Sequence, residues 1–208
     1  MNRQSMLALA LLGAVGLLAG PADAGRGGGG PGVQPLNSVE RADLVFMRQE
    51  EKLARDIYLQ SGERYAIAPF DNIATSEQRH MDSMLQLLQR YGVADPIAGF
   101  PIGQFADSSL QALHDNLRAL GSDSALAALK VGGLIEEVDM RDIVAAIERS
   151  QHVDIDRVYA NLLCGSRNHL RAYAGQVALV TGQPYAAQVL PQAEVDAILA
   201  TAQERCGN

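Results

Sequence analysis

Ile73-Ala74-Thr75-Ser76-Glu77-Gln78-Arg79-His80-Met81 places Glu-x-x-His inside a stretch with helical periodicity. Residues three apart on a helix share a face, so Glu77 and His80 can present an oxygen and a nitrogen to one point. That point has the chemistry of a metal site. With ten Glu and four His in 208 residues, about 0.2 such pairs arise by chance, so the motif needs support from the rest of the chain.

Asn37 with Glu40 forms a capping box, and a helix runs from there without Pro or Gly to Ser61. A second follows the Pro69 break, capped by Asp71, and runs to Tyr91, closed by Gly92 and Asp95-Pro96. The connection Gly92 to Asp107 holds Gly99, Pro101 and Gly103. A short helix, Ser109 to Leu120, lies within this long crossover. Ser122 caps a third long helix over Asp123 to Ser150, and Asp154 caps a fourth that ends near Val180. A small helix, Gln192 to Glu204, follows Pro184 and Pro191. No run of β-branched residues alternates with period two, so the expected class is all-α, a four-helix bundle with one long crossover.

Steps of three and four residues trace one inward stripe per helix. These are Leu44, Met47, Glu51, Ala54, Tyr58; Ile73, Glu77, His80, Met84, Leu87, Tyr91; Leu129, Gly132, Glu136, Asp139, Ile143, Ala146; and Ile155, Tyr159, Leu162, Ser166, His169, Tyr173. Every stripe is interrupted mid-helix by an ionisable residue. Buried carboxylates are costly without a cation. Two divalent ions would balance Glu51, Glu77, Glu136 and Asp139, with His80 and His169 completing a six-residue shell. Competing readings are open at this stage. Glu50 competes with Glu51 for the inward position, and Glu137 with Glu136. The site can also be mononuclear, on Glu77, His80 and His169. In a metal-free bundle, Arg55, Arg79 or Arg167 would hold the carboxylates. His114 and His152 read as solvated, and Gly165 with Ser166 as a place for close packing or a water.

Met1 to Ala24 has Arg3, an apolar run from Met6 to Leu18, and Ala22-Asp23-Ala24, the pattern of a signal peptide cleaved near Ala24. Gly25 to Leu36 reads as a flexible lead-in, residues 37–182 as the bundle, and 183–208 as a tail. The apolar run is too short for a transmembrane helix, and no other stretch reaches spanning length. The expected protein is therefore soluble and exported, periplasmic or extracellular. The net charge of −7 disfavours nucleic acid as a partner. Cys164 and Cys206 can pair in an oxidising compartment; the alternatives are a small buried residue and a free tail thiol.

Met47-Arg48-Gln49-Glu50-Glu51-Lys52-Leu53-Ala54-Arg55-Asp56, Ile135-Glu136-Glu137-Val138-Asp139 and Gly165-Ser166-Arg167-Asn168-His169-Leu170-Arg171, together with Glu77-x-x-His80, resemble the ferritin-like di-metal superfamily. The narrower resemblance, over residues 40–180, is to an uncharacterised bacterial and archaeal family within it. In that superfamily two helices each supply a Glu and two supply Glu-x-x-His. Here the fourth helix departs from the pattern: Ser166 stands where Glu is expected, and Asp139 can supply the missing oxygen. The resemblance implies two iron ions, with manganese or zinc also suited to the ligands, and reaction with dioxygen or peroxide. It also implies an external electron donor, since the chain has no Cys-x-x-Cys. The alternatives are a non-catalytic metal buffer or storage protein, and an interaction module whose crossover loop meets a partner.

Overall fold

The computed structural model describes residues 34–207; the signal-peptide reading and most of the Gly-rich lead-in lie outside them. Six helices occur among the described residues, with no strand: α1 Ser38–Tyr65, α2 Ala68–Arg90, α3 Ser108–Gly121, α4 Ala125–Arg149, α5 Val153–Thr181 and α6 Gln192–Leu199. None is long and apolar enough to cross a membrane.

Local signals set most boundaries. The Asn37 side chain accepts from the backbone of Val39 and Glu40, each at 2.9 Å, while Glu40 Oε2 accepts the Asn37 N–H at 3.0 Å, so the predicted capping box forms. Five ends differ from expectation by two residues or more. α1 runs past Ser61 to Tyr65 with Gly62 inside it. α2 begins at Ala68, before Asp71, because Pro69 fits the first helical turn, where an amide donor is dispensable. Ser124 caps α4 in place of Ser122, accepting from Ala127 at 3.1 Å. α5 begins at Val153 with no side-chain cap, and Asp154 instead accepts the Tyr91 hydroxyl at 2.7 Å. α6 stops at Leu199 rather than at Glu204.

α1 packs on α2, and α4 on α5; α1 also meets α4, and α2 meets α5. All four stripes point inward. The apolar core is split into two clusters. One gathers Leu44, Met47, Met84, Leu87, Ile143, Ile155, Tyr159 and Leu162; the other gathers Tyr58, Phe70, Ile73, Leu129, Leu170 and Tyr173. The ionisable residues of each helix fall between them. α2 and α4 run in the same direction, so the chain must cross the length of the bundle between them, and residues 92–121 do so.

The crossover is anchored to α1. The Arg48 guanidinium donates to Asp95 at 2.9 and 3.1 Å and to the Met81 carbonyl at 2.5 Å. Lys52, fully buried, pairs with Asp56 and donates to the Pro101 carbonyl at 2.8 Å, and Asp56 accepts the Gly103 N–H at 2.8 Å. An unpaired charge at either position would be strongly destabilising. The loop is thereby held by α1.

Candidate metal centre

Glu51 (α1), Glu77 and His80 (α2), Glu136 and Asp139 (α4), and Ser166 and His169 (α5) converge between the two apolar clusters. Glu51, Glu77 and Glu136 are at most 2% exposed, so solvent does not neutralise them. Glu77 lies at the centre. Its Oε2 is 2.7 Å from His80 Nδ1, and its Oε1 is 2.7 Å from His169 Nδ1. His80 Nδ1 is also 3.2 Å from Glu51 Oε2, and His169 Nδ1 is 3.4 Å from Glu136 Oε2. Two triads result, Glu51-Glu77-His80 and Glu77-Glu136-His169, each able to hold a metal ion, and they share Glu77.

The fit to an ion can be tested on distances. Metal–ligand bonds of about 2.1 Å place neighbouring ligand atoms roughly 3.0–3.4 Å apart, close to the 2.7–3.4 Å observed. Direction agrees as well. Despite its short contact with Glu77, His169 Nδ1 lacks hydrogen-bond alignment and has no true partner, and Glu51 Oε1 and Asp139 Oδ1 are also buried without one. Buried polar atoms are ordinarily satisfied. Of the four close contacts only His80 Nδ1 to Glu51 Oε2, at 3.2 Å, is aligned as a hydrogen bond; the other three pairs, close to one another yet not aimed at one another, fit a common cation.

Electrostatics points the same way. Among the described residues, no Arg or Lys pairs with these carboxylates: Arg55 bonds Asp56 and Gln78, and Arg167 bonds Glu204. Four carboxylates therefore face two imidazoles. Burial, then the neighbouring Asp139 charge, pushes the Glu51 carboxyl well above its usual range. Burial and the Glu136 charge push Asp139 up to about 8, against the Ser166 hydrogen bond. Burial also raises Glu136, against the pull of His169. For Glu77, burial is outweighed by His169 and His80, which hold it low. The imidazoles move up in turn: burial opposes this, but Glu51 and Glu77 prevail at His80, and Glu77 and Glu136 take His169 to about 10. The cluster without metal thus binds protons avidly, as a site built for cations does.

Small residues make the room. A Cβ on Gly165 would come within 2.6 Å of the His80 ring, and one on Gly132 within 2.6 Å of the Tyr173 ring. Gly165 therefore accommodates an imidazole. Tyr58 donates to Glu136 Oε1 at 2.6 Å and orients it, and the Tyr58 and Tyr173 rings lie 5.2 Å apart.

Five of the six expected ligands fall in the triads. Asp139 belongs to neither; the Ser166 hydroxyl donates to its Oδ2 at 2.5 Å, leaving Oδ1 free. Glu50 and Glu51 are both buried, and Glu51 is the one that meets His80. Glu137, also buried, serves elsewhere: it accepts the Tyr185 hydroxyl at 2.8 Å and the N–H groups of Gln188, Val189 and Leu190 at 2.6–3.0 Å. Sequence reading missed this tail anchor. Gly133 makes the room for it: a Cβ there would fall 2.3 Å from the Tyr185 oxygen.

Two solvated readings are corrected. His114 is buried against Phe105, with Nδ1 3.1 Å from Asp115, and His152 packs on Tyr91 with Nδ1 2.7 Å from Glu40 Oε1. Phe105, Tyr91 and Glu40 come from other elements of the fold, so neither contact is visible in local sequence. Cys164 and Cys206 are joined in a disulfide.

Fold and cluster together define an all-helical bundle protein whose interior can hold metal ions between carboxylates and imidazoles. The chain belongs to the family of the uncharacterized protein domain DUF2202, whose profile matches residues 40–202. It is 39% identical over 172 residues to the uncharacterized protein MJ0754 of Methanocaldococcus jannaschii, covering 83% of this chain and 92% of that one. The crystal structure of the hypothetical protein MJ0754 from Methanococcus jannaschii superposes with a TM-score of 0.80 at 38% identity, over 83% of this chain and 98% of that one.

Proposed function

We propose that this chain is an exported ferritin-like protein with a di-iron or di-manganese carboxylate centre of ferroxidase-like activity, reacting with dioxygen or peroxide. The observation that carries this reading is Glu77, whose two oxygens are divided between two His-carboxylate triads. A divided carboxylate suits two ions better than one. Glu51 and His80 would hold the first ion, Glu136 and His169 the second. A bound pair would supply two electrons to the oxidant. The protein's part is positional: Tyr58 fixes Glu136, Ser166 fixes Asp139, and Gly165 admits His80. Asp139 Oδ1, with its proton affinity raised to about 8, stands to hold a proton at neutral pH or to serve as a further oxygen ligand. Imidazole and carboxylate donors also suit zinc.

The division into a signal peptide over 1–24, a linker over 25–36, a bundle over 37–182 and a tail over 183–208 belongs to this reading, and the disulfide supports an oxidising compartment. A metal-free interaction module has less support, because among the described residues no arginine neutralises the cluster and the crossover is tied to α1. Colorimetric and mass-spectrometric metal analysis of protein purified from its native compartment, with ultraviolet spectra after aerobic oxidation, tests the proposal. About two ions per chain are expected. Absence of any metal near stoichiometric level would overturn it.

A further inference from the structure

The end of the chain is strapped to the outer face of the helix that builds the centre. Cys206 is bonded to Cys164, and Asn168 Nδ2 reaches the Cys206 sulfur at 3.2 Å. Glu204 accepts from Arg167 at 2.5 and 2.7 Å and from Arg171 at 2.9 Å. The Glu204 backbone exchanges hydrogen bonds with the Asn168 amide at 2.9 and 3.0 Å. Arg171 also donates to the Ile198 carbonyl and to Thr201. Strap positions 164, 167, 168 and 171 therefore interleave with the inward positions 165, 166 and 169 over the same two turns of α5.

That segment is where α5 is intrinsically weakest. Glycine and serine are poor residues for a helix interior, and Gly165-Ser166 is mid-helix because the His80 ring needs the space. The strap braces this turn from outside. Arg167 and Arg171, one turn apart, repel each other unless Glu204 lies between them. Cys206 is exposed, so the disulfide is open to attack by thiols. The preceding part of the tail is held differently, through Glu137 and the buried Val195, and does not depend on the disulfide.

We infer that the Cys164–Cys206 disulfide is a redox-sensitive latch on the metal centre: its reduction frees residues 199–207 and loosens the α5 turn that carries Gly165 and His169, so bound metal is released faster. The latch rests on the metal-site reading above. The chemistry is thiol–disulfide exchange with an external thiol. A thiolate attacks the Cys206 sulfur, the S–S bond breaks, and Cys164 leaves as a thiolate that takes up a proton. A second external thiol resolves the mixed disulfide, so two electrons and two protons enter in all. Metal would be retained under oxidising conditions and given up where thiols are abundant.

The test compares the oxidised full chain with the Cys164→Ser/Cys206→Ser double variant, which leaves all six proposed ligands intact and leaves no free thiol that would itself bind metal. Both are loaded with cobalt(II), and release into excess chelator is followed by visible absorption. Release about tenfold faster from the variant is expected, whereas rates agreeing within about twofold would overturn the latch and leave the metal centre standing. Failure of the oxidised protein to bind cobalt would overturn the metal centre and the latch together. Hydrogen exchange on the metal-free proteins supplies a second readout. Amides of residues 199–207 and 163–168 should exchange faster in the variant while those of 185–195 keep their protection; an unchanged pattern over 163–168 would also overturn the latch.

Discussion

Gly165→Ala separates the folding of α5 from the geometry of the centre. The added Cβ would lie 2.6 Å from the His80 ring, and ordinary contact begins at 3.4 Å, so the ring must retreat by about 0.8 Å. A binding constellation tolerates roughly 0.5 Å of such displacement. Two terms act on stability in opposite directions. Alanine gains about 1 kcal/mol of helix propensity over glycine, and overpacking costs about 1–3 kcal/mol when the neighbour cannot move. Here the neighbour is the end of a side chain, so the two should nearly cancel. The apoprotein should melt within a few degrees of wild type, since about 1 kcal/mol shifts Tm by roughly 2–4 °C at this size. Cobalt(II) or iron(II) affinity, measured by calorimetric titration, should fall by about tenfold to a hundredfold. Gly175→Ala is the control. It lies on the same helix with nothing within 4 Å of its added Cβ, so it should gain about 0.5–1 kcal/mol and leave affinity unchanged. Equal metal affinity in wild type and Gly165→Ala would refute the assignment of His80 as a ligand.

Glu137→Ala should destabilise the fold by on the order of 3 kcal/mol or more in chemical denaturation, since three half-buried N–H groups and the buried Tyr185 hydroxyl lose their acceptor; metal stoichiometry should not change. Asp139→Asn should weaken the second metal equivalent by about tenfold or more; unaltered stoichiometry and affinity would remove Asp139 from the site. Loading at pH 7 should expel at least two protons per chain, measured in weak buffer with an indicator dye, because the metal-free centre holds His80 and His169 protonated and also raises the proton affinity of Glu51 and Asp139. The sign follows from linkage. The folded proton affinity of His169, about 10, exceeds the ordinary 6.5, so its stabilisation of the apoprotein is complete below pH 6.5 and fades as pH rises toward 10. Metal affinity should rise over that same interval. Removing the disulfide, which spans 42 residues, should cost about 4 kcal/mol by loop-closure entropy, read as a lower denaturant midpoint.

The centre and the tail were legible to different degrees in the sequence. Glu51, Glu77, Glu136, Ser166 and His169 were found on their stripes because a bundle helix repeats its inward face every three or four residues, and that period is a property of the chain alone. The Asn37 capping box was legible for the same reason: its hydrogen bonds close within three residues. Glu137 was not legible, because its partners, Tyr185 and residues 188–190, lie about fifty positions away in a segment without periodicity. His114, on the crossover helix, and His152, in the turn before α5, were misread because a histidine looks solvated until another element covers it.

By itself, then, the sequence determined an all-helical chain, four inward stripes and a polar layer interrupting each of them. Those follow from local propensity and period. Only the tertiary structure decided that Glu77 divides its oxygens between two imidazoles, that Asp139 belongs to Ser166 rather than to either triad, and that Cys206 returns to clamp α5 beside Gly165. Each of those facts depends on distances between helices, and helix packing, not helix phase, sets them.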